Sequence, residues 1–245
     1  MFCRNGHKAW GVLSRYHYAH RGFHGEGRTE NSMAAFRAAV EHGFGAELDV
    51  HLMKDGNLAV IHDSSLKRTA NADVCIEDLT KEELAAYALH NGEPIPLLEE
   101  VLELFEGKTP LIVELKAEKG NHDALSAAVA KRLDAYEGDF CIESFDPRVV
   151  RWFKKYRPQV CRGQLAENFF RDKNSKLPCI TKFLLTNLLL SGLSRPDFVA
   201  YCFSHRDAVS PKVQMVYWTL RTQQELDQTV KEGALGIFEG FLPKE

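Results

Sequence analysis

Residues 45–62 read GAELDVHLMKDGNLAVIH, and this stretch decides the fold. Gly45–Val50 and Leu58–His62 are β-rich runs with only HLMKDGN between them, Asp55-Gly56 being the turn dipeptide. A parallel crossover takes roughly a dozen residues or more, so these two strands form an antiparallel hairpin. Working outward, the other strand candidates are Tyr16–His20, Pro110–Leu115, Phe140–Phe145, Val160–Leu165, Phe198–Phe203, Val213–Leu220 and Leu235–Glu239. Without the hairpin partner, eight strands remain, separated by helical patterns or by connections long enough to cross over. Eight β/α units in about 250 residues is the arithmetic of a (β/α)8 barrel. The expected fold is therefore an α/β TIM barrel with an extra antiparallel hairpin strand after the second barrel strand. A doubly wound open sheet is the competitor, but no GxGxxG follows the first strand.

Helix boundaries agree with that alternation. Asn31 or Ser32 can cap a helix that ends before Gly43 and carries Met33, Phe36, Ala39 and Val40 on one face. Asp146-Pro147 sets a capping side chain before a first-turn proline. Thr222 with Glu225 reads as a capping box, and Gly233 ends that helix.

Composition narrows the function classes. The 245 residues read as one domain across 1–245, with 1–15 as a lead-in. The formal net charge of −3 argues against a nucleic-acid binder resting on global positive charge. The longest apolar run, Phe183 to Leu193, is interrupted by Thr186, Asn187 and Ser191 and falls short of the ~20 residues of a spanning helix. It reads as a core-facing helix, with a lipid-touching cap as the alternative. The N-terminal stretch has no continuous apolar h-region, so no secretory signal is expected. Six cysteines, Cys3, Cys75, Cys141, Cys161, Cys179 and Cys202, lie eighteen residues or more apart and form no CxxC pair. They read as reduced structural thiols of a cytoplasmic protein.

Chemistry in such a barrel sits at the C-terminal ends of the strands. His20-Arg21-Gly22 ends the first strand, and Glu47 and Asp49 share one face of the second. His62-Asp63 ends the hairpin strand, and Glu114 and Lys116 end the Pro110 strand. Three carboxylates turned toward one mouth repel one another unless a cation holds them. An all-oxygen set suits a hard divalent ion, Mg²⁺ or Ca²⁺, better than zinc. The structural alternative is an ion network pairing Glu47 and Asp49 with Arg21 and Lys116. Two imidazoles able to exchange protons near neutral pH, a hard cation and two basic side chains together suggest phosphate-ester chemistry. His51 reads as structural, His17 and His24 as flanking residues, and Lys67-Arg68, Lys131-Arg132 and Lys154-Lys155 as solvated patches.

AHRG, ENSMAAF, ELDV, DGNLAVIHD and LIVELK, in that order and spacing, resemble the glycerophosphodiester phosphodiesterase family from about Tyr18 to Pro243. The resemblance implies a TIM barrel that hydrolyses glycerophosphodiesters to glycerol 3-phosphate and an alcohol with a divalent metal. By position it implies that His20 and His62 are an acid–base pair and that Glu47, Asp49 and Glu114 are metal ligands. Arg21 and Lys116 match phosphate-contacting bases, and Asn31 matches a supporting asparagine. Phe145, Gln164 and Trp218 fall where the family builds its pocket wall. Two departures, Phe238-Glu239-Gly240-Phe241 in place of a Thr-Asp ending and Leu220-Arg221 in place of an asparagine, bear on substrate choice more than catalysis. The short segment between Asp63 and Pro110 implies an open site. The expected partner is a small glycerophosphodiester, with no nucleic acid and no stable membrane insertion. A lysophospholipase D-like or phospholipase C-like enzyme on the same fold is the nearest alternative, and a catalytically silent phosphate-ester-binding protein is the one outside enzymes.

Overall fold

A computed structural model describes residues 6–172, 177–208 and 213–244; Cys3 lies outside them. The strands are β1 (Tyr18–Ala19), β2 (Gly45–Leu52), β3 (Leu58–Val60), β4 (Leu111–Leu115), β5 (Phe140–Ser144), β6 (Arg162–Ala166), β7 (Phe198–Cys202), β8 (Gln214–Leu220) and β9 (Leu235–Phe238). The helices are α1 (Trp10–Leu13), α2 (Met33–Glu41), α3 (Lys67–Ala70), α4 (Lys81–Leu84), α5 (Leu98–Phe105), α6 (His122–Leu133), α7 (Pro147–Tyr156), α8 (Cys179–Thr186), α9 (Ser191–Ser194) and α10 (Gln223–Lys231). All strands except β3 pair in parallel and close through β1, which bonds both β2 and β9. The result is the expected eight-stranded barrel with one antiparallel strand outside it. β7 is followed by a 3₁₀ turn, Phe203–Ala208, rather than an α-helix.

The short β1 explains where the extra strand goes. On β2 it reaches only Gly45 and Ala46, so the far end of β2 is open on that edge. β3 fills the gap, and Val50 is paired with Leu115 on one side and Val60 on the other. Running antiparallel, β3 brings the chain back from the rim. Ile61 N donates to Asp49 O at 3.0 Å, which leaves His62 at the level of Asp49.

Side-chain alternation divides the barrel into two cores. Tyr18, Ile112, Cys141, Phe198, Val216 and Ile237 fill the interior, whereas Leu48, Val113, Ile142, Val199 and Tyr217 pack outward beneath the helices. α1 belongs to the packed structure. Leu13 is buried, its carbonyl accepts from Tyr18 OH at 2.9 Å, and Trp10 lies against Phe198. The segment between Asp63 and Pro110 adds a third cluster beneath β3, with Ile61, Leu66, Ile76, Leu84 and Leu97 buried together.

Ser32, not Asn31, caps α2, accepting from Ala35 N. Asp146 caps α7 with Pro147 at its start. Thr222 accepts from Glu225 N, but the Glu225 carboxylate accepts from Arg221 N rather than closing the box on Thr222. The Phe183–Leu193 expectation is overturned. Two short helices, α8 and α9, replace one, and Phe183, Leu189 and Leu193 are exposed, while Leu188 alone of the run's leucines is buried in the core.

Candidate active site

The C-terminal ends of β1, β2 and β4 assemble the acidic cluster. The β2–β4 register puts Asp49 beside Glu114, with Glu47 two residues below on the same face. One oxygen of each lies within 4.8 Å of the others, and all three residues are buried. Lys116 Nζ sits 2.9 Å from Asp49 Oδ1 and 2.8 Å from Glu114 Oε1. Arg21 Nε is 3.4 Å from Asp49 Oδ2, and its Nη1 donates to Glu30 at 2.7 Å. Asn31 Nδ2 donates to Asp49 Oδ2 at 2.8 Å. The carboxylate cluster therefore coexists with the Asp49 half of the ion network posed as its alternative, whereas Glu47 makes no pair with the Arg21 or Lys116 side chain.

The backbone that delivers Arg21 depends on Gly22. Gly22 has φ +78°, and a Cβ there would meet the Ala35 carbonyl carbon at 2.8 Å. Only glycine allows the chain to turn against α2 at this point. Arg21 N then donates to Glu47 Oε2 at 3.1 Å.

The charges do not balance evenly. Burial opposes ionisation of Asp49, yet Lys116, His62 and Arg21 hold its carboxyl well below the usual range. Burial, Asp49 and Glu114 push Glu47 well up, and burial raises Glu114 despite Lys116. Apart from His20 Nε2 at 4.0 Å, no cationic side chain among the described residues pairs with Glu47. The cluster has room for more positive charge, and its donors are all oxygens, which fits a hard divalent cation.

His20 and His62 flank this cluster, each with Nδ1 held by a carboxylate. His20 Nδ1 lies 2.6 Å from Glu239 Oε2, and His62 Nδ1 lies 2.6 Å from Asp63 Oδ1. Arg68, exposed as expected, also donates to both Asp63 and Glu30 and so supports the site. His51 is structural as expected: its Nε2 lies 3.1 Å from the His62 carbonyl and its Nδ1 2.6 Å from Glu77. Burial lowers the pKa of both candidate histidines, that of His62 to about 4. Glu239 opposes the shift in His20 and is itself held well below the usual carboxylate range.

His20, Arg21, Glu47, His62, Glu114 and Lys116 line one cavity of about 40 Å³, walled by Phe145 and Trp218. The Phe145 and Trp218 rings meet edge-on at 5.7 Å. The cavity adjoins a groove of about 950 Å³. Gln164 does not join it. Its side chain turns outward, its Nε2 donating to the Ser144, Phe145 and Leu165 carbonyls, because Leu165 takes the inward position on β6.

Two residues escaped sequence reading. Glu143 is buried in the same cavity beside Glu114, its Oε2 without a hydrogen-bond partner and its pKa pushed well up by burial and Glu114. Alternation back from Phe145 would have put it on the inner face. Glu239 was read as a rim departure, yet it holds His20 and pairs with Arg221.

A (β/α)8 barrel with two carboxylate-held histidines beside a buried acidic cluster defines the class, a barrel phosphodiesterase. The chain belongs to the glycerophosphoryl diester phosphodiesterase family, whose model matches residues 20–241. It is 30% identical over 237 residues to a glycerophosphodiester phosphodiesterase of Bacillus altitudinis, covering 91% of this chain and 94% of that one. It is 37% identical over 139 residues to the rat lysophospholipase D GDPD1, covering 51% of this chain and 42% of that one. Among solved structures, an Oleispira antarctica phosphodiesterase in complex with the product sn-glycerol-3-phosphate superimposes with a TM-score of 0.76 at 21% identity, covering 96% of this chain and 95% of that one. A Thermotoga maritima glycerophosphodiester phosphodiesterase does so with a TM-score of 0.67 at 26% identity, covering 91% and 94%.

Proposed function

We propose that this chain hydrolyses glycerophosphodiesters to sn-glycerol 3-phosphate and an alcohol, acting in the cytoplasm as one domain over residues 1–245. The observation that carries the proposal is the pair of histidines, each with Nδ1 engaged by a carboxylate, on either side of the buried acidic cluster. Glu47, Asp49 and Glu114 would hold one divalent cation, Mg²⁺ or Ca²⁺, which when bound polarises a phosphoryl oxygen and acidifies a neighbouring hydroxyl.

The remaining work falls to the chain's own side chains. Arg21 and Lys116 bind the phosphate oxygens. Engagement of Nδ1 fixes Nε2 as the atom that exchanges protons on both His20 and His62. One Nε2 takes the proton of the glycerol hydroxyl next to the phosphate as its oxygen bonds to phosphorus. The other protonates the alkoxide as its P–O bond breaks, giving the free alcohol and a cyclic phosphate. Water then opens that ring with the two roles reversed. The diester's negative charge favours the imidazolium form of the adjacent ring, offsetting the burial that otherwise keeps both rings neutral. Phe145 and Trp218 exclude water from one wall.

The test is a panel of glycerophosphodiesters assayed after chelator treatment with each metal restored, detecting glycerol 3-phosphate. His20→Ala and His62→Ala should each lose about 10²–10⁴-fold in kcat. Full activity in both would overturn the proposal, and retained affinity without turnover would leave a phosphate-ester-binding protein. One observation favours a second reading. Phe145, Phe169, Leu177, Leu185, Leu190 and Trp218 line the large groove, which is apolar enough for an acyl chain, as a lysophospholipase D would need. Turnover of glycerophosphocholine against lysophosphatidylcholine separates the two.

A further inference from the structure

Seven of the nine exposed large apolar side chains among the described residues fall between Tyr156 and Leu193. Ile180 and Phe183, three apart on α8, are 71% and 53% exposed, while Thr181 and Leu185 of the same helix line the groove. Leu189 and Leu193 follow at 54% and 58%. Scattered apolar residues need no explanation, but a contiguous group on one rim marks a surface that something covers.

The charge around it is one-sided. In sequence, residues 148–195 contain eleven Lys or Arg against two Asp or Glu; of these, Arg148, Arg157 and Arg171 pair with Asp146, Asp134 and Asp207, and Arg162 is buried. α7 borders the patch, Lys154 Nζ donating to the Leu193 carbonyl at 2.9 Å. Arg151 and Lys155 on α7, Lys182 on α8 and Arg195 after α9 form no ion pair among the described residues, and all but Lys182 are exposed. A protein of net charge −3 thus carries Arg151, Lys155, Lys182 and Arg195 along the flank formed by α7, α8 and α9, beside the exposed apolar side chains of α8 and α9.

We infer that this face docks reversibly on an anionic lipid bilayer. Apolar side chains entering the headgroup boundary and basic side chains against anionic lipid are the two attractions that hold a peripheral protein to a membrane. A second copy of the chain would bring two basic faces together, which repel. Nucleic acid would match the charge, but four of the seven exposed apolar side chains, Leu177, Ile180, Leu189 and Leu193, are aliphatic and stack no base. Because the outer face of α8 is exposed and its inner face lines the groove, docking sets the groove mouth at the lipid–water boundary.

The test is flotation of the full chain with vesicles of phosphatidylcholine alone and of phosphatidylcholine mixed with phosphatidylglycerol, at low and high salt. Binding should require the anionic lipid and weaken with salt. Ile180→Ser with Phe183→Ser should lower the partition coefficient about a hundredfold, roughly tenfold for each side chain withdrawn. Arg151→Glu with Lys155→Glu should lower it at least about 25-fold, roughly fivefold for each charge lost. Both variants should melt as wild type and hydrolyse a water-soluble diester as wild type, since none of the four residues lines the catalytic cavity. Flotation needs no turnover, so it fails or succeeds independently of the proposed chemistry. Failure of the wild type to float with anionic vesicles at low salt would overturn the inference, as would unchanged binding in both variants. It would also fall if the chain preferred an RNA oligonucleotide to these vesicles, or formed a dimer that the Ile180/Phe183 variant abolishes.

Discussion

Replacing Glu239 with Gln keeps the shape of the side chain that holds His20 and removes its charge. Wild-type Glu239 Oε2 lies 2.6 Å from His20 Nδ1. A hydrogen bond to a charged group is worth about 1.5–3 kcal/mol and a neutral one about 0.5–1.5, so the substitution removes roughly 1–1.5 kcal/mol of orientation. The amide can also turn its NH₂ toward Nδ1, which would select the wrong tautomer and leave Nε2 protonated. The expected loss in kcat is therefore tenfold or more, with a smaller effect on KM and on metal affinity. Loss of the Arg221 pair adds little, since that guanidinium is largely exposed. The pH profile carries a second signal. Glu239 raises the pKa of His20 against the lowering by burial, so the Gln variant should titrate His20 at lower pH. If His20 is the base, the acidic limb of kcat/KM moves down; if it is the acid, the alkaline limb does. The assay is steady-state release of glycerol 3-phosphate across pH with saturating metal. A variant with wild-type kcat and both limbs unmoved would refute the role given to Glu239.

Asp49→Asn and Glu114→Gln should sharply weaken divalent-ion binding and activity while leaving a folded barrel. At an ion concentration a hundred times Kd the native state gains about 2.7 kcal/mol, or roughly 5–10 °C in Tm, which the wild type should show in thermal melts with Mg²⁺ or Ca²⁺ and the variants should lose. Asp49→Asn responding like wild type would make the cluster a salt-bridge network only. Glu143→Gln replaces a carboxyl whose burial favours its neutral form, so the ion-free protein should melt at or above the wild-type temperature; a large drop would show that its ionised form is needed. His62 is lowered to about 4 from an unfolded value near 6.5, so its contribution to stability is full above pH 6.5 and lost as pH falls through 4. Urea unfolding should show a slope over that window, at most about 3 kcal/mol before solvent screening of this partly exposed ring, that His62→Gln removes.

Local pattern carried the barrel. A seven-residue gap with Asp55-Gly56 forces a hairpin whatever surrounds it, and alternation along β2 puts Glu47 and Asp49 on one face without knowledge of any neighbour. His20, Glu114, Arg21 and Lys116 were legible because strand ends in a parallel barrel share one mouth, and His62 because the hairpin returns β3 alongside β2. What escaped were pairings between residues distant in sequence. Glu239 meets His20 across 219 positions because β9 closes on β1, and Arg68 meets Glu30 across 38 because the segment after β3 folds over the rim. The inward or outward sense of β6 was equally hidden, as a one-residue change of phase separates Gln164 in the pocket from Gln164 behind it. In the Phe183–Leu193 run, hydrophobicity marked residues that water disfavours. Only the tertiary packing decided that Leu188 would enter the core while Phe183, Leu189 and Leu193 stand outside it.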